Sequence, residues 1–279
     1  MLPHFVIIGA QKAGTTSLWF YLARHPQIFM SELKETNFFI AERAWPNGLD
    51  WYESLFSEAA KTGMLTGEAS PNYTFYPGFQ GIPERMSQVI PQARLIYLLR
   101  HPVERMISGY LNGLTLGQEH LPIQQALFER PQYADTSRYA MQIEQYLQYF
   151  DRSQLLVLLS EDLERRPAET IDRILDFLGL ETGWRHPSFE TRHHRTAGKR
   201  VPRWWWRRLG GLVIRGRIPV FPVPKAAVSS PVTTRALRPR DSALQATARR
   251  RLEDMVRPDV ERLSRYMDDG FHGWGLLDD

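Results

Sequence analysis

The first residues of the chain constrain its fold more than any other stretch. Residues 5–9 are apolar and rich in β-branched side chains, a composition that predicts a buried strand. A turn with two glycines follows, and apolar residues then recur at helical spacing from Leu18 to Leu22. Parallel strands require a crossover connection, which is usually a helix. A strand, a glycine turn and a helix in this order therefore predict an α/β protein with a parallel sheet.

The turn, residues 9–17, is called the glycine loop below. Gly9 and Gly14 have the spacing of a phosphate-binding P-loop, but Lys12 stands inside the loop instead of after the second glycine. Backbone N–H groups at a helix start, a lysine and several hydroxyls suit an anion. The predicted anion-binding residues are Lys12, Ala13, Gly14, Thr15, Thr16 and Ser17. The alternative is an ordinary strand–turn–helix corner.

Two later segments repeat the strand-and-helix pattern. Residues 94–99 and 155–159 predict further buried strands, and helical periodicity surrounds the second of them, at 143–150 and 171–178. We expect a P-loop-like three-layer fold, with a central, mainly parallel sheet flanked by helices. In such sheets ligands bind at the carboxyl ends of the strands.

A second candidate anion site follows the strand at 94–99. Arg100 ends that strand, and Ser108 stands in a helix predicted to begin near Pro102. An arginine can bind a phosphate through two hydrogen bonds, and a serine hydroxyl can bind a further phosphate oxygen. In the alternative interpretation, Arg100 pairs with Glu104 and Ser108 is a small packing residue.

Composition excludes several kinds of protein. The 279 residues include no cysteine, so disulfides, thiolate metal sites and cysteine nucleophiles are excluded. We see no signal peptide and no apolar run of the roughly 18 residues that a membrane span needs. The sequence therefore predicts a cytoplasmic protein.

Charge is distributed unevenly. Residues 191–240, called the basic segment, contain 13 of the 35 basic residues and none of the 31 acidic ones, which leaves a net charge of −9 elsewhere.

We expect one domain over 1–279, with the basic, Pro- and Trp-rich segment as a lid or insertion. C-terminal helices are expected over 241–268, with Pro258 as the first residue of the last one. Residues 203–217, rich in Trp and Arg, indicate peripheral contact with an anionic membrane or binding of acidic glycans. A solvated, proline-stiffened excursion is the alternative, and no nucleic-acid-binding motif is present.

Four motifs, in their order along the chain, resemble sulfotransferases that use 3′-phosphoadenosine 5′-phosphosulfate (PAPS). The resemblance is to the heparan-type branch and its bacterial relatives. Residues 9–18 resemble that family's 5′-phosphosulfate loop, and 100–110 resemble its 3′-phosphate motif, with His101 in place of the usual Asn or Asp. The further similar segments are KETNFF at 34–39, GEASPNY at 67–73 and the stretch 159–180.

The resemblance implies an enzyme that transfers a sulfuryl group and releases 3′,5′-ADP without a metal ion. Lys12 would stabilise the leaving oxygen. Arg100 and Ser108 would bind the 3′-phosphate, and Lys199 and Arg200 loosely match a basic loop that closes over the nucleotide. Glu68 would be the base that accepts the acceptor's proton.

Other assignments remain open at this stage. The neighbouring Lys34-Glu35 pair could hold or tune the site, and a histidine, with His120 first, is an alternative base. The acceptor could be a carbohydrate, a glycolipid or a small metabolite, and aromatic side chains could line its pocket. A P-loop small-molecule kinase and a non-enzymatic anion-binding module are the rival functions. The kinase is disfavoured by the position of Lys12 and by the lack of a clear Walker B aspartate after residues 155–159.

Overall fold

A five-stranded parallel sheet forms the centre of the molecule. The computed structural model describes residues 1–59, 63–190, 200–202, 234–236 and 238–277. The strand order is β2-β3-β1-β4-β5, and every neighbouring pair is parallel. The strands are β1 (Phe5–Gly9), β2 (Ile28–Met30), β3 (Leu65–Ala69), β4 (Arg94–Leu99) and β5 (Leu155–Leu159). The three strands predicted from the sequence are confirmed as β1, β4 and β5.

Helices surround this sheet. They are α1 (Thr15–Leu22), α2 (Leu49–Ser54), α3 (Ile82–Val89), α4 (Pro102–Thr115), α5 (Ile123–Glu129), α6 (Pro131–Asp135), α7 (Tyr139–Tyr146), α8 (Ser160–Arg165), α9 (Pro167–Leu178), α10 (Pro239–Ser242) and α11 (Ala246–Leu263). A small antiparallel pair, β6 (Arg200–Pro202) and β7 (Thr234–Ala236), lies within the basic segment. The predicted α/β architecture is therefore the observed one.

The central strands are apolar because helices cover both faces of the sheet. Every residue of β1 is buried, and so are Leu95 to Leu99 of β4. Removing such side chains from water supplies most of the driving force for folding, at about 25 cal/mol per Å² of apolar surface. The sheet thus gives a rigid base to the loops that leave its carboxyl ends.

Helix boundaries follow local sequence signals in two clear cases. α4 begins at Pro102, whose missing N–H costs nothing in the first turn of a helix. α9 ends at Gly179, which has a left-handed backbone (φ 75°) that glycine adopts without strain. Both boundaries were predicted from the sequence.

The prediction that Pro258 begins the last helix is wrong. Pro258 lies inside α11, which continues through it to Leu263. Leu252, Val256 and Val260 are all fully buried along one face of α11. Their burial against α4 and neighbouring elements keeps the helix continuous although proline removes one backbone hydrogen bond.

Among the residues that the structure describes, no helix combines the length and the apolar character needed to cross a membrane. The predicted membrane-contacting stretch 203–217 lies outside the described residues.

Candidate functional site

The glycine loop connects the end of β1 to the start of α1. Gly14 precedes α1 with φ 98°, a left-handed backbone in which a side chain would be strained. A Cβ atom at Gly9 would clash with Thr74 and Tyr97, so the tight approach of these residues also requires glycine. Lys12 itself has φ 75°, an uncommon conformation for a residue with a side chain. These positions give the loop one defined path.

The loop presents donors on the side where α1 begins. The first N–H groups of α1 have no partner within the helix, so together with the partial positive charge of the helix start they can bind an anion. Thr16 and Ser17 are half-buried, whereas Ala13 and Thr15 are almost fully buried. The accessible hydroxyls are therefore those of Thr16 and Ser17.

The two predicted anion motifs meet in the structure. The backbone N–H of Ala10 donates to the carbonyl of Leu98 in β4, at 2.7 Å. The guanidinium of Arg100 donates to the carbonyl of Lys12 at 3.2 Å, and the carbonyl of Arg100 accepts a hydrogen bond from Tyr139 at 2.7 Å. Arg100 is thus fixed beside the glycine loop.

Ser108 lies further along α4 and is largely buried. β6, the strand that begins at Arg200, contacts α4. This places the backbone of the predicted basic loop near the helix that carries Ser108. The side chain of Arg200 and the whole of Lys199 lie outside the described residues.

Glu104, the alternative partner of Arg100, pairs with a different arginine. Its carboxylate accepts a hydrogen bond from Arg249 of α11 at 2.5 Å. The carboxylate of Glu161 accepts the backbone N–H of His101 at 3.0 Å, so this acidic residue holds the turn between β4 and α4. Burial lowers the pKa of His101, which favours its neutral imidazole near the nucleotide motif.

Glu68 lies in β3 and is completely buried. Four hydroxyls donate to its carboxylate: Thr36 at 2.5 Å, Tyr52 at 2.7 Å, Ser70 at 2.9 Å and Tyr73 at 2.9 Å. These five residues are called the hydroxyl network below. Burial raises the pKa of Glu68, and the four hydrogen bonds oppose that rise because they stabilise the ionised form.

The hydroxyl network determines the position of the KETNFF segment. Thr36 and Ser70 of the network hold this segment against the end of β3, and the backbone N–H of Asn37 donates to Ser70 at 3.0 Å. Glu35 and Asn37 have positive φ angles of 64° and 51°, so this short segment is tightly constrained. The role of Glu68 as a base stays a prediction, and its burial means that an acceptor reaches it only if the network opens.

Glu35 has an exposed carboxylate close to the end of β3. Its side chain is 42% exposed and pairs with Lys34 at 2.9 Å, and its backbone N–H donates to the carbonyl of Ala69, the last residue of β3. Glu35 is thus at the carboxyl end of the sheet, where the glycine loop also starts. Sequence analysis gave it only a supporting role.

A cleft of about 420 Å³ adjoins the glycine loop. Gln11 of the loop, Asn72 after β3 and Asn112 of α4 lie in its wall. The ammonium of Lys12 donates to the Oδ1 atom of Asn112 at 3.3 Å. Lys12 therefore stands where the loop meets the cleft, and the cleft is of a size that holds a small ligand.

Asn112 is a site residue that the sequence analysis missed. It lies four residues after Ser108 in α4, and residues at this spacing share one face of a helix. That spacing was the available signal. The far wall of the cleft, which includes Gln118 and Gln132, comes from a segment without a recognisable motif.

The histidine candidates are less well placed. His120 is exposed, and its backbone N–H donates to Glu119, which lines the cleft. His193 and His194 lie outside the described residues. Within the described ranges, no group of three or more His, Asp or Glu side chains could hold a metal ion.

Comparison with known proteins identifies the family whose pattern the chain matches. The sequence model of the family described as the sulfotransferase domain matches residues 2–197. Heparan sulfate glucosamine 3-O-sulfotransferase 3B1 of Mus musculus is 34% identical over 190 residues, covering 64% of this chain and 47% of that protein. The bifunctional heparan sulfate N-deacetylase/N-sulfotransferase 4 of the same species is 30% identical over 201 residues, 64% of this chain and 22% of that protein. The chain thus spans less than half the length of either relative.

Solved structures share the fold. A sulfotransferase crystal structure from Alicyclobacillus acidocaldarius superposes with a TM-score of 0.70 and 26% identity, covering 99% of both chains. The sulfotransferase domain of the curacin biosynthetic pathway superposes with a TM-score of 0.51 at 17% identity, covering 70% of this chain and 79% of that one.

Proposed function

The chain belongs to the sulfotransferase family, and from that premise we propose that it transfers a sulfuryl group from PAPS to an acceptor hydroxyl or amine. The observation that carries this proposal is the contact between Lys12 and Asn112. It joins a loop built for phosphate groups to a cleft that can hold a second molecule.

The glycine loop and Arg100 are the proposed binding site of the donor. The N–H groups at the start of α1, with Thr16 and Ser17, bind the 5′-phosphosulfate. Arg100 and Ser108, which follow the neighbouring strand, bind the 3′-phosphate. The adjacency of β1 and β4 supports this division, because both motifs leave the same edge of the sheet.

Lys12 stabilises the charge that develops during transfer. As the bond between sulfur and the bridging oxygen breaks, that oxygen gains negative charge, and the new bond forms between sulfur and the acceptor oxygen or nitrogen. A lysine already held at the boundary of loop and cleft stabilises this charge with little rearrangement.

We propose Glu35 as the base that takes the acceptor's proton. Its carboxylate is accessible, whereas that of Glu68 accepts four hydrogen bonds in the interior. A base must come within hydrogen-bonding distance of the proton that it accepts. Glu35 does not itself line the cleft, but Asn37 of its segment accepts a hydrogen bond at 3.0 Å from Asn72, which does. Glu68 then acts through the segment that it holds, as a positioning residue.

Product analysis tests the transfer directly. The protein is incubated with PAPS labelled in the sulfuryl group and with fractionated metabolites and glycans, and mass spectrometry searches for acceptors that have gained one SO₃. A parallel incubation with ATP and Mg²⁺ searches for phosphorylated products, as the kinase alternative requires. Label transfer from PAPS alone supports the proposal. Phosphorylation alone, or no transfer at all with bound nucleotide, contradicts it.

A further inference from the structure

The cleft beside Lys12 also carries information about its acceptor. We propose that this acceptor is an uncharged, polyhydroxylated molecule, a sugar or polyol, and not a polyanionic chain. The proposal rests on the sulfotransferase function proposed above, because it assigns the cleft to the acceptor. The two relatives described above are named as heparan sulfate enzymes, and the acceptor proposed here differs from heparan sulfate because it is uncharged.

Five of the sixteen described residues that line the cleft carry side-chain amides. They belong to Gln11, Asn72, Asn112, Gln118 and Gln132. An amide both donates and accepts hydrogen bonds, as a hydroxyl does, whereas sulfate and carboxylate groups only accept them. Such a lining complements the hydroxyls of a sugar better than the anionic groups of a sulfated chain.

Three of these amides are available to a ligand. Among the described residues, the side-chain amides of Gln11, Gln118 and Gln132 have no hydrogen-bond partner. Gln118 and Gln132 are exposed, and Gln11 is half-buried beside Lys12. They come from three separate segments, the glycine loop, the turn after α4 and α6, so a bound polyol can use more than one of them at once.

Part of the cleft wall is aromatic. The rings of Phe75 and Phe79 lie 5.4 Å apart, and both line the cleft. The C–H face of a sugar ring packs against such side chains, while its hydroxyls remain directed toward polar groups. A wall with amides and a phenylalanine pair therefore fits both faces of a sugar.

Two of the three arginines that line the cleft have contacts within the protein. Arg105 is fully buried and donates to Ser137 at 2.5 Å and to the carbonyl of Tyr133 at 2.6 Å. The guanidinium of Arg43 lies 4.9 Å from the centre of the Phe79 ring. Arg105 is therefore engaged in the interior, which leaves Arg43 and Arg130 as the described arginines of the cleft that an anion could contact.

An acidic residue also lines the cleft. Glu119 lies 4.0 Å from Arg130 and partly neutralises it. Burial alone would raise the pKa of Glu119, but hydrogen bonds from the N–H groups of Leu121 and His120 and from Tyr133 lower it, so the carboxylate stays ionised. The ionised Glu119 lowers the net positive charge of the cleft wall, which makes the wall less favourable to anionic ligands.

Matched acceptors test the proposal. The 3′,5′-ADP-bound protein is mixed with neutral methyl glycosides of common hexoses and N-acetylhexosamines, and with methyl glucuronide and a heparan sulfate tetrasaccharide. Saturation-transfer NMR measures binding, and sulfation by PAPS is measured by mass spectrometry. We expect at least one neutral glycoside to bind and to be sulfated with kcat/KM at least about 10-fold above the anionic compounds. Binding or sulfation of the anionic compounds alone, or no binding of any neutral glycoside, overturns the proposal.

Variants test whether the amides of the cleft are responsible. Gln118→Ala and Gln132→Ala should each lower kcat/KM for the preferred glycoside by about 2- to 10-fold, the effect of one lost hydrogen bond. Gln148 is an exposed glutamine in the turn after α7, outside the cleft, so Gln148→Ala is the matched control and should change nothing. Equal values for all three variants would remove the amides from acceptor recognition.

The outcome also separates this proposal from the proposed function. Stabilisation by 3′,5′-ADP together with sulfation of only anionic acceptors leaves the sulfotransferase function intact and refutes the neutral acceptor. Absence of both nucleotide binding and sulfuryl transfer refutes both.

Discussion

Lys12 contacts both the proposed donor site and the cleft proposed for the acceptor. Its carbonyl accepts a hydrogen bond from Arg100, and its ammonium donates one to Asn112. We predict that Lys12→Ala weakens 3′,5′-ADP binding and lowers kcat by about 10²–10³, the usual effect of losing a group that stabilises transition-state charge. Calorimetry and steady-state kinetics measure the two effects. Lys12→Arg is the control that retains the charge and should recover part of both losses. An unchanged kcat in Lys12→Ala would exclude Lys12 from the chemistry.

The two acidic residues near the end of β3 should respond differently to the same substitution. Glu35→Gln removes an exposed carboxylate, and we expect kcat to fall by about 10²–10⁴, the range for a lost general base. Binding of 3′,5′-ADP should be nearly normal in this variant, and KM for the acceptor should change less than kcat. Glu68→Gln should lower kcat less. The reverse order of the two losses would assign the base to Glu68.

The buried carboxylate of Glu68 should also affect stability as the pH changes. Its pKa is raised in the folded protein, so the folded state binds this proton more tightly than the unfolded state does. The contribution of Glu68 to the free energy of unfolding is therefore most favourable at low pH and declines as pH rises from its unfolded pKa toward its folded one. Urea unfolding of the wild type and of Glu68→Gln at several acidic pH values measures the difference. We expect the free energy of unfolding of the wild type minus that of Glu68→Gln to fall as the pH rises, and a rise would contradict the assigned direction.

Local patterns indicated the positions of the candidate anion-binding residues better than the surroundings of the acidic ones. Lys12, Gly14 and Arg100 stand at positions where strand, turn and helix signals coincide, and the structure places them together. The burial of Glu68 has no such local signal. It depends on hydroxyls contributed by three separate segments, and a single sequence does not display their proximity.

At the scale of the elements, the C-terminal helix stabilises the start of α7. The residue that precedes α7, Arg138, makes no side-chain cap, and Asp259 of α11 accepts the N–H groups of Ala140 and Met141 instead, each at 3.0 Å. We predict that Asp259→Ala lowers the free energy of unfolding by about 1–3 kcal/mol, because buried N–H groups lose their acceptor.

Asp254 of the same helix provides the matched control. Its side chain is 68% exposed, and it lies 3.7 Å from Arg257. Asp254→Ala should change the free energy of unfolding by no more than about 0.5 kcal/mol, as is usual for surface positions. Denaturant unfolding measures both variants, and equal effects would mean that the cap of α7 contributes nothing.

One missed strand and one wrong helix start show where local sequence patterns did not reveal the tertiary contacts. β3 was not predicted because Thr66, Gly67 and Glu68 interrupt the apolar pattern of a buried strand, although the strand pairs on both sides. Pro258 was taken as a helix start because local propensity favours that position. Tertiary packing prevailed in both cases: polar residues of β3 have buried partners, and α11 is held by its apolar face.

For the whole molecule, nucleotide selectivity is the most direct test of the paired anion motifs. We predict that 3′,5′-ADP raises the melting temperature more than 5′-AMP at equal concentration, because only the former offers a 3′-phosphate to Arg100 and Ser108. The dissociation constants should differ several-fold, consistent with one additional charge-assisted contact. Arg100→Ala should remove this difference, and equal stabilisation of the wild type by both nucleotides would contradict the assignment.

Sulfuryl transfer by this site should also be insensitive to chelation. A sulfuryl group carries less negative charge than a phosphoryl group, and Lys12 is proposed to stabilise the leaving oxygen in place of a metal ion. We expect EDTA to leave the rate of transfer from PAPS unchanged in an assay that compares chelated and Mg²⁺-supplemented enzyme. A rate that EDTA abolishes and Mg²⁺ restores would contradict the proposed role of Lys12.

Residues 116–136 supply seven of the sixteen described residues that line the cleft. This segment does not overlap the glycine loop, residues 9–17. The proposed donor site instead depends on the fixed edge of β1 and β4. During evolution, insertions and substitutions within 116–136 can therefore change the acceptor specificity while the donor site and the transfer reaction stay the same. The same separation offers a practical route to engineered transferases, in which this one segment is grafted between relatives and the rest of the chain is retained.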